Sequence, residues 1–533
     1  MSLKSLAGLT ALLLAGAASA QTFSPQRVRA DVAFLADDML EGRGTGTRGY
    51  DLAARFVAAR FEALGFKPGA KDAWYQDIGF VTATADPARK SAVTINGVRM
   101  LTGEHVIVGP TVAAEAIDQA AQAVFVGYGL EDKRLGLDDY AGLDVKGKIV
   151  VYLSGMPVGL PSDIAATLNE KKSEVARLKG AIGVLSVATP RTLATTPWAK
   201  ILHNSGLARM RWVHPDGQVE NPNAALRLSA LIDPSAAEAL FKGSPLDGKL
   251  AAMFADKTAR PKGFALASPV RVERFSKIDK VRSANVIGVL EGSDPTLKNE
   301  VVMLSAHLDH LGILPTGDDR IANGAMDNAT GIATMLEAAR AFAETGKRPK
   351  RSIAFVALTG EEKGLFGSEY LAKYPLPAGR KLVANVNLDM PLLTYDFTDV
   401  VAFGAEHSTV GEAVGRAAGQ MGIKLSPDPI PDENIFVRSD HYSFVKQGVP
   451  SVYLATGFAN GGDKAAKDFD DNHYHMASDD MALPINWATA AKFARLNYLI
   501  AAQLADQPQA PRWYADDFFG DKFAPGAPRA AKP

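Results

Sequence analysis

Four apolar runs in the second half of the chain constrain its fold more than any other feature. They are VVMLSA (Val301 to Ala306), IAFVAL (Ile353 to Leu358), LVANVNL (Leu382 to Leu388) and VPSVYLAT (Val449 to Thr456). Continuous apolar runs of this length, bounded by polar clusters, suit central parallel strands that are covered on both faces. From Ala284 onward such runs alternate with amphipathic helices, which predicts an α/β fold with a mostly parallel central sheet flanked by helices. The residues just after each run matter as much: HLDH after the first, TGEE after the second, Asp389 after the third and a glycine loop after the fourth. Ligands of open α/β sheets sit at the carboxyl ends of the strands, so residues scattered in sequence are expected to converge there.

The residue types suit a metal. The chain has no cysteine, and His307, Asp309, Asp327, Glu361, Glu362, Asp389, His441, His473 and His475 are the nitrogen and oxygen donors available to an ion such as Zn²⁺. A two-metal site needs a bridging carboxylate. NGAMDNATGIATMLEAAR places Asp327 just before a helix whose apolar face is Ile332, Met335, Leu336, Ala339 and Phe342. Taken alone, an Asp there would be read as a helix cap. The adjacent pair Glu361 and Glu362 in LTGEEKGLFGSEYL also has two readings. Successive residues at a strand end point in different directions, so one can bind metal while the other faces the reacting water. Alternatively both sit in the first turn of a helix starting near Lys363, where acidic groups favour the dipole.

Composition narrows the partners. Lys plus Arg is 58 and Asp plus Glu is 59 in 533 residues, and the net charge of -1 provides no field to hold nucleic acid. Lys4, the apolar run Leu6 to Ala17 and the small residues Ala18, Ser19 and Ala20 read as a cleavable signal peptide over 1–20. The mature chain is then expected to begin at Gln21, without membrane association, and to be periplasmic or secreted. Zero cysteines exclude a disulfide framework and a thiolate metal site. The glycines of EGRGTGTRG follow no strand and so are not read as a nucleotide fingerprint. Residues 21–110 read as the N-terminal part of a catalytic domain, 111–268 as an inserted β-rich module, 269–506 as the catalytic domain and 507–533 as a flexible tail.

SAHLDHLG, GAMDNATGIATMLEAAR, LTGEEKGLFGSEYL, NLDM and NHYHMASDD, in this order and spacing, resemble the co-catalytic zinc aminopeptidase family that includes glutamate carboxypeptidase II and the glutaminyl cyclases. DYAGLDVKGKIVVY and ARLKGAIGVLSV resemble the protease-associated (PA) domain inserted into secreted members. The resemblance implies two zinc ions, one bound by His307 and Asp389, the other by Glu362 and His475, with Asp327 between them. It implies Glu361 as general base, Asp309 as a carboxylate that fixes the ligands, and Tyr474 as donor to the oxyanion. His473 matches no ligand position, Arg438 and Asp440 of RSDHYSF are candidates to line the substrate pocket, and His310 and His441 read as hydrogen-bonded structural histidines. The implied activity is release of N-terminal residues from peptides by a zinc-activated water. Carboxypeptidase action of the glutamate carboxypeptidase II type shares every ligand and stays open; an inactive binding protein on this scaffold is remote, because ligands and base are all present. Single-zinc glutaminyl cyclisation is disfavoured by the full bridging set.

Overall fold

The computed structural model describes residues 22–376 and 379–533. The expected signal peptide lies outside the described residues. Among these, thirteen strands form one sheet. At its centre stand four parallel strands in the order Ser352–Leu358, Glu300–His307, Lys381–Leu388 and Ser451–Thr456. Nearly every residue of the four is buried, because helices cover both faces. The strands flanking these four run antiparallel to them: Val270–Leu290 runs against Ser352–Leu358, and Asp399–Phe403 runs against Ser451–Thr456.

Register brings the ends of the runs level. His307 lies opposite Leu358, Ser305 opposite Asn387, and Leu388 opposite Leu454. Neighbouring strands are about 4.8 Å apart, so His307, the turn after Leu358 and Asp389 emerge side by side on one edge. The helix Thr330–Glu344 packs its expected face, Ile332, Met335, Leu336, Ala339 and Phe342, into the same core as the sheet. It starts where the Asp327 turn ends.

Residues 106–265 contribute a sheet of their own, in the order Phe264–Ala265, Ala123–Phe125, Ile149–Leu153, Gly183–Val187, Leu228–Ile232 and Val106–Ile107. Its four inner strands are parallel. The long strand Val270–Leu290 returns the chain to the main sheet, pairing first with Ala116–Ala121 and then with Ser352–Leu358.

The segment after Gln507 is a correction. Its Pro, Ala and charged residues predict flexibility, yet Trp513 is 2% exposed and its Nε1 donates to the Gly448 carbonyl at 2.8 Å. Phe518 and Phe519 of the helix Phe518–Phe523 are buried beside it. A few aromatic anchors outweigh a polar average, because each buries a large apolar area.

Candidate metal centre

The edge of the four central strands gathers the acidic and histidine residues. His307 ends one strand, Glu361 and Glu362 lie in the turn after Ser352–Leu358, Asp389 comes just after Lys381–Leu388, and His475 stands in the loop after the helix Gly462–Asn472. Asp327 sits in the turn before Thr330–Glu344, where the Asp327–Asn328 peptide is cis. The helix after the glutamate pair starts at Phe366 rather than near Lys363. Gly360 and Gly364 have positive φ (69° and 123°), which turns the chain between strand and helix and leaves the two glutamates ahead of the first helical turn. They are therefore not dipole-stabilising residues of that turn.

Asp327 is central. One oxygen lies 3.1 Å from His307 Nε2; the other lies 3.5 Å from His475 Nε2 and 3.7 Å from His310 Nδ1. His307 Nε2 is also 3.0 Å from Asp389, and His475 Nε2 is 3.2 Å from Glu362. Asp327 makes no capping bond to the helix. Asn328 Oδ1 accepts from the Gly331 amide at 3.1 Å and the Met390 amide at 3.2 Å, while its Nδ2 donates to the Leu388 carbonyl at 2.9 Å. Asn328 thus ties the Asp327 turn to the strand end that carries Asp389. Tyr474 stacks on the His475 ring at 3.9 Å, and His473 turns away to Ser478.

The surroundings hold these groups in place. His307 Nδ1 donates to the Asp309 carbonyl at 3.0 Å, which leaves Nε2 facing the carboxylates. The Asp309 carboxylate accepts from the Glu361 amide at 3.2 Å and the Thr45 hydroxyl at 2.7 Å. Asp479 accepts both the Met326 and the Asp327 amides, at 2.7 and 2.9 Å. A buried chain of hydrogen bonds runs from Asn385 through Ser305, Asn387 and Ser439 and ends on Asp389, the last bond being 2.5 Å. The Arg43 guanidinium, wholly buried, donates to the carbonyls of Leu308, Asn323, Gly324 and Leu35. Arg43 and Thr45 come from EGRGTGTRG, so that glycine-rich turn supports the centre. No local sequence pattern marks Thr45, Asp479 or Ser439 for these roles, since their partners lie far away along the chain.

The electrostatics fit a cation. Burial lowers the His307 imidazole, but Asp389 and Glu361 with the two carboxylate bonds more than reverse this and hold it well above its ordinary value. Burial and the Asp327 charge push Glu362 up, yet His310 and His475 bring it below the usual carboxylate range. Burial, with Asp389, Glu362 and Asp440, raises Glu361 despite His307. Buried carboxylates at this density must be matched by protons or metal. Ligand atoms of His307, Asp327 and Glu362 all lie within 4.8 Å of one another. Nitrogen and carboxylate oxygen without sulfur suit Zn²⁺, and the residues present fit that ion.

Two sequence expectations need revision. Asp440 is wholly buried, and burial pushes its carboxyl up to about 7, so it presents no surface to a substrate. Arg438, by contrast, is half exposed and pairs with Glu433 at 3.3 Å. His310 is hydrogen-bonded as expected, but its partner is Glu362 at 2.6 Å, which puts it against the centre. His441 is buried between Phe436 and Tyr453, where burial pulls it down to about 3.

Residues 285–501, which include all five convergent ligand candidates, match the model of peptidase family M28. This segment is similar to peptidase family M28 domains. A probable zinc metalloprotease of Pyricularia oryzae is 28% identical to this chain over 266 residues, covering 44% of this chain and 52% of the relative. Leucine aminopeptidase 1 of Trichophyton rubrum is 28% identical over 206 residues, covering 37% and 52%. The chain spans about half the length of these two curated relatives. Beyond the M28 segment, the aminopeptidase from Aneurinibacillus sp. strain AM-1 aligns with 92% of this chain and 95% of its own, at a TM-score of 0.55 and 18% identity, a likeness of fold. No helix among the described residues is long and apolar enough to cross a membrane.

Proposed function

We propose that this chain is an exported, zinc-dependent aminopeptidase that removes N-terminal residues from peptides. The observation that carries the reading is the Asp327 carboxylate shared between His307 on one side and His475 on the other, with Glu361 on the neighbouring turn. His307 and Asp389 would hold one zinc ion, Glu362 and His475 a second, and Asp327 both. Two such ions supply positive charge that acidifies water and polarises a peptide carbonyl.

The chain's own residues supply the rest. Glu361 accepts a proton at its carboxylate and delivers it to the leaving amine, while Asp309 fixes its backbone. Tyr474 keeps its phenol proton, since burial and the charges of Asp327, Glu362 and Glu361 raise it well above its ordinary value; it is a hydrogen-bond donor for a developing oxyanion. Arg438 stands as the remaining substrate-pocket candidate. The sheet within residues 106–265 is read as a PA-like insertion. Periplasmic or secreted location rests on the signal sequence, and the aminopeptidase activity is supported by the names of the relatives. One short apolar peptide, offered with free ends, N-acetylated or C-amidated and with or without chelator, tests the reading. Cleavage of the free and amidated forms, abolished by acetylation or chelator, is expected. Dependence on the free carboxylate would replace it with carboxypeptidase action.

A further inference from the structure

A second cluster of chargeable side chains shares no residue with the M28 centre and lies where three separate stretches of chain meet. Asp163 belongs to the helix Ser162–Leu178 of the inserted segment, Glu406 and His407 come after the strand Asp399–Phe403 of the main sheet, and Asp517 caps the helix Phe518–Phe523. The His407 ring is fixed by Phe436 and Phe519, both with centroids 4.8 Å away. Its Nδ1 donates to Asp517 Oδ2 at 2.7 Å, and the other Asp517 oxygen accepts from the Gly520 amide at 2.9 Å. Asp517 is therefore fully engaged as the group that orients the ring and selects its tautomer.

The opposite nitrogen has no such partner. His407 Nε2 is buried and makes no hydrogen bond, although Glu406 Oε1 lies 3.6 Å and Asp163 Oδ2 3.8 Å away. A proton shared between imidazole and carboxylate would draw the pair to about 2.7–2.9 Å. Two ligands on a tetrahedral ion with bonds of about 2.0–2.1 Å are separated by about 3.3–3.4 Å, closer to what is seen. Ligand atoms of Asp163, Glu406 and His407 lie within 4.8 Å of one another. Among the described residues no Lys or Arg pairs with Asp163, Glu406 or Asp517, and the charges of Asp163 and Glu406 add to burial in raising nearby Asp428. Apart from the His407 imidazole, which burial lowers but Asp163, Asp517 and Glu406 raise to about 9, the cluster has no cation among the described residues, and that ring is held facing the carboxylates.

We propose that His407, Asp163 and Glu406 bind a divalent transition-metal ion of the zinc or manganese type, with Asp517 orienting the histidine and water completing the shell. The imidazole favours such an ion over calcium, whose sites are built from oxygen. Bound there, the ion fastens the inserted segment and the C-terminal segment to the main sheet.

The test uses full-length protein crystallised with zinc, with anomalous diffraction recorded above the zinc edge. An anomalous peak is expected between His407 Nε2, Asp163 Oδ2 and Glu406 Oε1, separate from any peaks at the M28 centre. It should disappear in His407→Gln and in Glu406→Gln, the latter changing an exposed side chain and so sparing the fold. Metal analysis in solution should find about one zinc fewer per chain in each variant than in the wild type. No peak at that position in wild-type crystals, or equal zinc content in wild type and both variants, would overturn the proposal.

Discussion

Asp479→Asn removes a support of the metal centre without removing a ligand candidate. In the native chain both carboxylate oxygens of Asp479 are used, one by the Met326 amide and one by the Asp327 amide, at 2.7 and 2.9 Å. Hydrogen bonds to a charged partner contribute about 1.5–3 kcal/mol each. Asparagine keeps one neutral acceptor and turns an NH₂ toward the other amide, so one bond weakens and one becomes a donor–donor contact. The cost is about 2–4 kcal/mol by the same scale. Part of it falls on stability and part on the placement of Asp327, while loss of a negative charge weakens attraction for a cation in the same direction. At about 1.4 kcal/mol per tenfold, zinc affinity should fall roughly 10- to 100-fold, the range found when groups behind metal ligands are altered. Competition with a chromogenic chelator measures the change. A folded Asp479→Asn protein with wild-type zinc affinity would refute the reasoning, since the backbone of Asp327 would then not need this anchor.

Two further predictions concern stability. Truncation after Asp506 removes the buried Trp513 and Phe519; at about 3–5 kcal/mol for each lost aromatic, thermal unfolding of a chain this long should shift down by about 5–10 °C, and an unchanged midpoint would show that the segment does not contribute to the fold. Lys172 is buried, its ammonium pulled down to about 7 by burial against the opposing charge of Asp139, and it donates to the carbonyls of Leu153 and Gly155. A neutral amine still has two N–H groups for these two carbonyls. An unfolded lysine keeps its proton to about pH 10.4, so between about 7 and 10 the unfolded chain binds the proton that the folded chain has released, and stability rises with pH. The stability of wild type relative to Lys172→Met should therefore grow over that window in denaturant titrations; a flat or shrinking difference would contradict it.

The parts of the centre that were legible in the sequence share one property: each sits at the end of a recognisable local pattern. His307, the glutamate pair and Asp389 close apolar runs, and Asp327 precedes an amphipathic helix, so strand and helix periodicity is enough to bring them to one edge. The groups that hold them are a different matter. Thr45, Ser439 and Asp479 act through bonds to residues 264, 50 and about 150 positions away, and no local pattern records such pairings. Asp440 misled because its motif neighbours an exposed residue, Arg438, whereas its own side chain points into the core. The C-terminal segment misled because an average over Pro, Ala and charge conceals a few anchoring aromatics. The Asp163, Glu406, His407 and Asp517 cluster was invisible for the same reason as Asp479, its members coming from three distant stretches.

Glu361→Gln tests the central claim most directly, because it removes the base and leaves every ligand candidate in place. The variant is expected to retain the zinc content and fold of the wild type while peptide turnover falls ~10²- to 10⁴-fold. A variant that keeps both its zinc and its turnover would contradict the assignment of Glu361 as the group that moves the proton.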